Sequence, residues 1–357
     1  MKKIRINKSL KDNLITFALV TVAFIAVEIL KMTGHISSLM KGLLVPVCIY
    51  IICAIALNLC VGILGELSLG HAGFMCIGAF SGAFFSKCVQ DIITFAPLRF
   101  TLAIIIGAVF ASIFGFLIGI PVLRLKGDYL AIVTLAFGEI IKNVINVLYV
   151  GLDDNGFHFS LKDVVSLKLL PEGKVIINGA QGITGTPNDS SFEVGFVLII
   201  ITLIIVLNLI HSRDGRAIMS IRDNTIAAES IGINITKYKL MAFTISAGLA
   251  GVAGVLYAHN LSSLMAQPKN FGYNMSITIL LFVVLGGIGN IRGSVISAVV
   301  LTLLPELLRG LSDYRMLIYA IVLIVLMLFN WSPKILDLRK KYSIKNLISK
   351  SKMKEAE

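Results

Sequence analysis

Ionisable side chains inside apolar runs are the places where this sequence of 357 residues could do chemistry. A charge within a bilayer is costly, so it is kept where it is paired or where it works. Glu66, Ser68 and His71 fall in Gly65-Glu-Leu-Ser-Leu-Gly-His-Ala-Gly-Phe74, a glycine-rich segment between two apolar runs. Closely approaching backbones there would leave the polar groups facing a cavity. A tight helix–helix contact, with Glu66 and His71 hydrogen-bonded to backbone, fits the same residues equally well. Asp128-Tyr-Leu-Ala-Ile-Val-Thr-Leu-Ala-Phe-Gly-Glu-Ile-Ile-Lys142 sets Thr134 near the face of Glu139, and Glu139 and Lys142 at i, i+3 are close enough to pair. A structural ion pair is the favoured role of these two, with lining of a pathway as the other. Glu306 follows Pro305 near the end of its run, where snorkelling to the interface accounts for it.

Other chemistries lack their residues. No G-x-x-x-x-G-K-[ST] occurs, so ATP hydrolysis by a phosphate-cradling loop is not expected, and the chain is expected to bind no cofactor of its own. Gly287, Gly289 and Gly293 are spaced one residue too long for a dinucleotide fingerprint. His35, His71, His158, His211 and His259 are scattered without a His/Cys cluster, which leaves no metal site to argue for. Neither a G-x-S-x-G nor a T-V-G-Y-G segment is present, so membrane enzyme and potassium channel lose their main support.

The positioning elements follow from composition. Hydrophobic residues make up 57% of the chain and charged ones 15%, against about 25% charged in soluble domains. With a mean hydropathy of +0.90, its solvent is the lipid bilayer. Apolar runs at 14–30, 43–64, 69–86, 98–123, 128–150, 192–211, 238–259, 276–289, 293–309 and 316–331 predict an all-α polytopic transmembrane bundle of about ten spans. The segment around Gly286–Gly293 is a candidate for a broken or re-entrant helix. Cys48, Cys53, Cys60, Cys76 and Cys88 lie in or beside these runs and read as small packing residues. The first run is read as an uncleaved span, because Ala23-Phe-Ile-Ala26 lacks the A-x-A spacing of a signal-peptidase site.

The formal charge of +12 is concentrated in basic tails at 1–13 and 332–357, which flank a transmembrane domain at 14–331. Such tails follow the positive-inside rule, so both termini are placed in the cytoplasm and no nucleic-acid partner is expected; membrane lipid is the surrounding partner. An even number of spans agrees. Arg124, Lys126, the 212–237 loop and Arg292 then fall inside, and the loop at 151–191 falls outside; Lys31, Lys41 and Lys87 run against the rule. The inner loop contains Asp223-Asn-Thr-Ile-Ala-Ala-Glu-Ser-Ile-Gly-Ile233, where a capping residue precedes Ile226, Ser230 and Ile233 at helical spacing. It predicts a short amphipathic helix outside the bilayer.

Several segments together resemble a known family. Gly65–Phe74, Leu123–Ile140, Gly182-Ile-Thr-Gly-Thr-Pro187, Gly215–Ile233 and Leu285-Gly-Gly-Ile-Gly-Asn-Ile-Arg-Gly-Ser294 are similar, in order, to the LivM-type permease of branched-chain amino acid ABC importers. The resemblance implies a multi-pass subunit of the bacterial inner membrane that translocates leucine, isoleucine and valine. It implies a second homologous permease of LivH type, two ATP-binding subunits of LivG and LivF type, which use the ATP, and an extracytoplasmic substrate-binding protein. In that family the cytoplasmic loop is a coupling helix docked on an ATPase. Carried onto this chain, it covers Ala228, Glu229 and Gly232, with Asp223 at its start. Arg216 and Arg222 beside it would pair with acidic residues of an ATPase or hold anionic lipid headgroups. The pathway candidates are Glu66, Ser68, His71, Thr134 and Glu139, with Thr184 in the external glycine-rich segment, where Thr186 replaces the family's second glycine.

Overall fold

The computed structural model describes residues 8–34, 37–125, 127–171, 173–308 and 314–331. The tail charges expected at 1–7 and 332–357, together with Lys126 and Glu172, lie outside the described residues. Helices α1 (Lys8–Met32), α2 (Ser38–Asn58), α3 (His71–Val89), α4 (Ala96–Val122) and α5 (Asp128–Asn146) lead into strands β1 (Tyr149–Asp153), β2 (Gly156–Ser160), β3 (Lys174–Asn178) and β4 (Ile183–Thr184). Then follow α6 (Phe192–His211), α7 (Arg213–Asp223), α8 (Thr225–Ser230), α9 (Ile235–Ala258), β5 (Ser263–Leu264), α10 (Pro268–Phe271), α11 (Tyr273–Gly286), α12 (Ile291–Leu307) and α13 (Arg315–Trp331).

Among the described residues seven helices are long and apolar enough to cross a membrane: α1, α2, α3, α4, α6, α9 and α10 taken with α11. The other three expected runs form α5, α12 and α13, of 19, 17 and 17 residues. The chain divides into a unit at Met1–Val299 and a second at Val300–Glu357, and the features described below lie in the first. In it α2 is the most enclosed helix, with 89% of its apolar stretch buried against 11% for α1. It packs against α6, α9 and α11, while α3, α4 and α9 meet one another through small residues, as membrane helices do when no hydrophobic effect drives their association. A Cβ added at Gly78 would strike the backbone of Gly251, and one at Gly107 would meet the backbone of Gly78 and the side chain of Val255. Cys48, Cys53, Cys60 and Cys76 are buried free thiols in this core, and Cys88 is half-buried.

One expectation is corrected. The chain is not all-α, because residues 149–178 fold into an antiparallel sheet of order β2-β1-β3, and β4 pairs with β5 in a separate ribbon. The fifth helix therefore stops at Asn146, and Tyr149 and Val150 belong to a strand and not to a span. The local reason is Asp153-Asp-Asn-Gly156. Asn-Gly between alternating side chains is a strong hairpin signal, and Gly156 takes φ +118° at the turn while Asp153 pairs with Gly156.

Several charged side chains link segments at two opposite ends of the helices. At one end Lys31 pairs with Glu193, Lys87 Nζ donates to the Gly185 carbonyl at 3.0 Å, and Arg99 Nη2 meets Asp189 Oδ2 at 2.7 Å. Ser190 Oγ joins them, donating to the His259 carbonyl at 3.0 Å. At the other end Glu66 pairs with Lys239, Arg222 reaches Gly62, and Arg292 Nε donates to Thr16 Oγ1 at 2.6 Å. Lys31 and Lys87, exceptions to the charge rule, thus each have an acceptor on another segment.

The sheet carries its own acid-sensitive fastening. Desolvation pushes the Asp153 carboxyl up, but hydrogen bonds from the Asn155 and Leu170 amides and from His158 outweigh it and hold the group below its ordinary value. Hydrogen bonds from the Ser166 hydroxyl and amide lower Asp163 likewise. A carboxyl depressed in the folded state contributes stability above its unfolded pKa, which is lost as pH falls through the folded value. Limited proteolysis of the detergent-solubilised protein is therefore expected to find residues 149–178 protected at neutral pH and progressively cleaved, by an acid-active protease, as pH falls below about 4. Asp153→Ala should open the segment already at neutral pH and leave the spanning helices intact.

Candidate functional site

The Gly65–Phe74 segment is where the helical path breaks. The last turn before it, Leu59–Leu64, is π-helical, and it ends at Gly65 in the left-handed region with φ +83°. Residues 65–70 are not helical, and α3 starts only at His71. The expected span at 69–86 thus begins with an unwound stretch, and its freed backbone groups must find partners within protein. Thr134 Oγ1 accepts the Leu69 amide at 3.0 Å and donates to the Ala131 carbonyl at 2.9 Å. Ser276 Oγ accepts the Ala72 amide at 3.2 Å.

His71 is fully enclosed, 1% exposed, and both ring nitrogens are engaged. Nε2 lies 2.7 Å from Ser246 Oγ, and Nδ1 lies 3.3 Å from Ser68 Oγ. The proton directions follow by elimination. Ser246 has one hydroxyl hydrogen, and it goes to the Ala56 carbonyl at 2.5 Å, so Ser246 accepts from Nε2–H. Nδ1 faces the Ser68 hydroxyl. The histidine is a bracket that ties α2, the break and α9 together. Glu66, below it in the unwound stretch, pairs with Lys239 at the start of α9.

Glu139 is used elsewhere. It pairs with Lys142, as its spacing predicts, and its Oε1 accepts the Tyr273 amide at 2.8 Å, satisfying a free donor at the start of α11. Thr184 is exposed on β4, opposite Ser263 on β5, at the far end of the molecule. The structure therefore brings Glu66, Ser68, His71 and Thr134 together and sets Glu139 and Thr184 apart. Ser246, Ser276, Lys239 and Asn58 complete the cluster. They come from distant helices, and nothing local in the sequence marks them beyond polarity inside an apolar run.

The 212–237 loop forms two short helices. Ser212 caps α7, its Oγ accepting the Gly215 amide at 3.0 Å, and Asn224, not Asp223, caps α8 by accepting the Ala227 amide at 3.0 Å. Gly232 takes φ +85° and closes α8: its amide reaches the Glu229 carbonyl, and the Ile233 amide reaches the Ala228 carbonyl at 3.1 Å. That paired pattern is a Schellman motif, in which glycine is favoured because it lacks a Cβ. Of the expected helix face, Ile226 and Ser230 are exposed and Ile233 is half-buried; Ala228 is buried, Glu229 is exposed, and Ile226 and Ile231 are 80% and 75% exposed. Arg216 Nη1 donates to the His211 carbonyl at 3.1 Å, and Arg222 to Asp223 and Gly62, so both arginines are held by their own chain.

Comparison with known proteins agrees with this arrangement. The family model described as branched-chain amino acid transport system / permease component matches residues 39–329. The chain is 34% identical over 295 residues to the high-affinity branched-chain amino acid transport system permease protein LivM of Salmonella typhimurium, covering 80% of this chain and 67% of that one. It is 24% identical over 290 residues to the nucleoside ABC transporter permease protein NupC of Lactococcus lactis, covering 74% and 84%. The ribose import permease protein RbsC of Escherichia coli is 33% identical over 129 residues, 34% of this chain and 39% of that one. No solved structure matches. A match across the break, the inner helix pair and the glycine-rich turn before α12 leaves one assignment: the chain belongs to the permease-component family of branched-chain amino acid transport systems, membrane subunits of ABC importers.

Proposed function

We propose that the chain translocates leucine, isoleucine and valine delivered by an extracytoplasmic binding protein, beside a second homologous permease and above two ATP-binding subunits that use the ATP. In this reading the chain has no ATPase site of its own. It crosses the membrane about ten times with both termini in the cytoplasm. The charged contacts at the two ends support that map. Connections expected outside touch one another, as Lys87 does Gly185, and those expected inside do the same, as Glu66 does Lys239.

The observation that carries the reading is α8. This capped helix presents Ile226, and just past its end Ile231, as an apolar face that no other described residue covers. On the cytoplasmic side of an importer subunit that face is the contact for an ATP-binding subunit, with Glu229 and Gly232 at its rim. The cluster of Glu66, Ser68, His71 and Thr134 lies at the break on the same side of the bundle and braces the pathway's inner end; it is not a set of solute ligands.

Reconstituted uptake is expected to require added ATP-binding subunits and binding protein. Ile226→Asp combined with Ile231→Asp should insert normally yet lose the ATP-binding subunits on purification, with uptake falling about tenfold or more. Uptake by the chain alone, driven by a proton or sodium gradient, would overturn the proposal. For the brace, Lys239→Met leaves Glu66 buried without its partner and is expected to cost about 3 kcal/mol. Glu66→Gln with Lys239→Met should recover most of the lost thermal stability and, if neither residue binds solute, most of the uptake.

A further inference from the structure

Arg222 has a different occupation from its neighbours on the inner helix pair. Its Nη1 donates to the Gly62 carbonyl at 2.9 Å, 160 residues away in the chain, while Nε and Nη2 hold Asp223 Oδ1 at 3.0 and 2.9 Å. Its aliphatic stem lies against Gly65, where an added Cβ would meet Arg222 Cγ at 2.6 Å. The side chain therefore grips the π turn Leu59–Leu64 at two points, by hydrogen bond at Gly62 and by contact at the left-handed glycine that ends it.

The opposite side of the same turn faces the glycine-rich link between α11 and α12. Asn58, wholly buried at the start of the turn, accepts the Gly289 amide at 2.9 Å and donates to Ser294 Oγ at 2.8 Å. An added Cβ at Gly62 would strike Asn58 Oδ1 and the Gly289 backbone. Gly287 and Gly289, at φ +96° and +80°, hold that link in conformations that glycine adopts most readily. A continuous set of contacts thus runs from the C-terminal end of α7 through the π turn to the start of α12. π-helical turns are rare and concentrate at functional positions, since the extra residue can be gained or lost by a register shift.

We infer that Arg222 is the positioning residue that transmits movement of the inner helix pair to the π turn, and through Asn58 to the α11–α12 link. It is thereby not a contact to an ATP-binding subunit. The inference rests on the importer reading above and names the internal route by which that reading's driving motion enters the bundle. A displaced α7 pulls on the Gly62 carbonyl and on Gly65 together, so the break before α3 and the link before α12 shift in concert. The guanidinium suits this task because its planar fork holds two acceptors in fixed directions.

The test uses the full importer, with ATP-binding subunits and binding protein, in liposomes. Arg222→Gln is expected to assemble with its partners at wild-type abundance and to hydrolyse ATP, but to take up solute about tenfold more slowly, raising the ATP spent per solute by a similar factor. Arg222→Lys, whose ammonium still donates to the Gly62 carbonyl, should recover part of the uptake. Hydrogen exchange at the Leu59–Leu64 amides should change on ATP binding in the wild type and stay unchanged in Arg222→Gln. Wild-type uptake in Arg222→Gln, or loss of the ATP-binding subunits from it, would overturn the inference. Gly65→Ala, which displaces the arginine stem, gives a second variant with the same expected loss of coupling, and wild-type coupling in it would count against the inference. If the wild type itself needs no ATP-binding subunits, the importer reading fails; if only the variants behave as wild type, the relay alone fails.

Discussion

Everything in the bundle answers to one requirement: backbone polar groups that leave a helix within the bilayer must be bonded by other protein groups, because no water is there to do it. The unwound stretch before α3 leaves such groups, and hydroxyls of neighbouring helices bond them. Thr134 from α5 takes the Leu69 amide and Ser276 from α11 the Ala72 amide, while Ser246 on α9 bonds the Ala56 carbonyl of α2 and holds His71. Each bond crosses between helices, so the break also fixes how those helices stand to one another. A helix passing straight through would need none of them and would leave its neighbours freer to slide.

Charge is handled by pairing at the ends of the helices. Glu66 with Lys239 and Arg99 with Asp189 are largely buried pairs at opposite ends. Such pairs add little to stability over apolar replacements, but removing one partner is expensive. They therefore work as registers: a helix that slipped by a turn would leave a buried charge alone. The apolar stretches between the ends carry packing and almost no information about position along the membrane normal.

The membrane class was legible from composition, and Gly65–Phe74 was legible as an unusual place because its charges and glycines stand out against apolar runs. The i, i+3 pairing of Glu139 with Lys142 and the left-handed Gly232 could be read because both depend on residues close in sequence. What completes the cluster could not. Asn58, Ser246 and Ser276 are single polar residues in long apolar helices, and their importance comes from partners as far as 236 residues away. The π turn has no sequence signature, and the sheet at 149–178 has only the Asn155-Gly156 hairpin signal to mark it. Tyr149 and Val150 continue the apolar run of the preceding span, since hydropathy does not distinguish the end of a span from the start of a strand.

The glycine seam where α3, α4 and α9 meet has a bearing on how such a protein drifts over evolutionary time. At Gly78 and Gly251 even a methyl group meets backbone, so the smallest possible change there pries two helices apart. On α4, by contrast, Ile105, Ile113 and Leu117 face outward, and any apolar shape serves in contact with fluid lipid. Natural variants of this fold should therefore invert the habit of soluble proteins. The bulky apolar residues are the ones free to vary, and the residues with almost no side chain are the ones held constant.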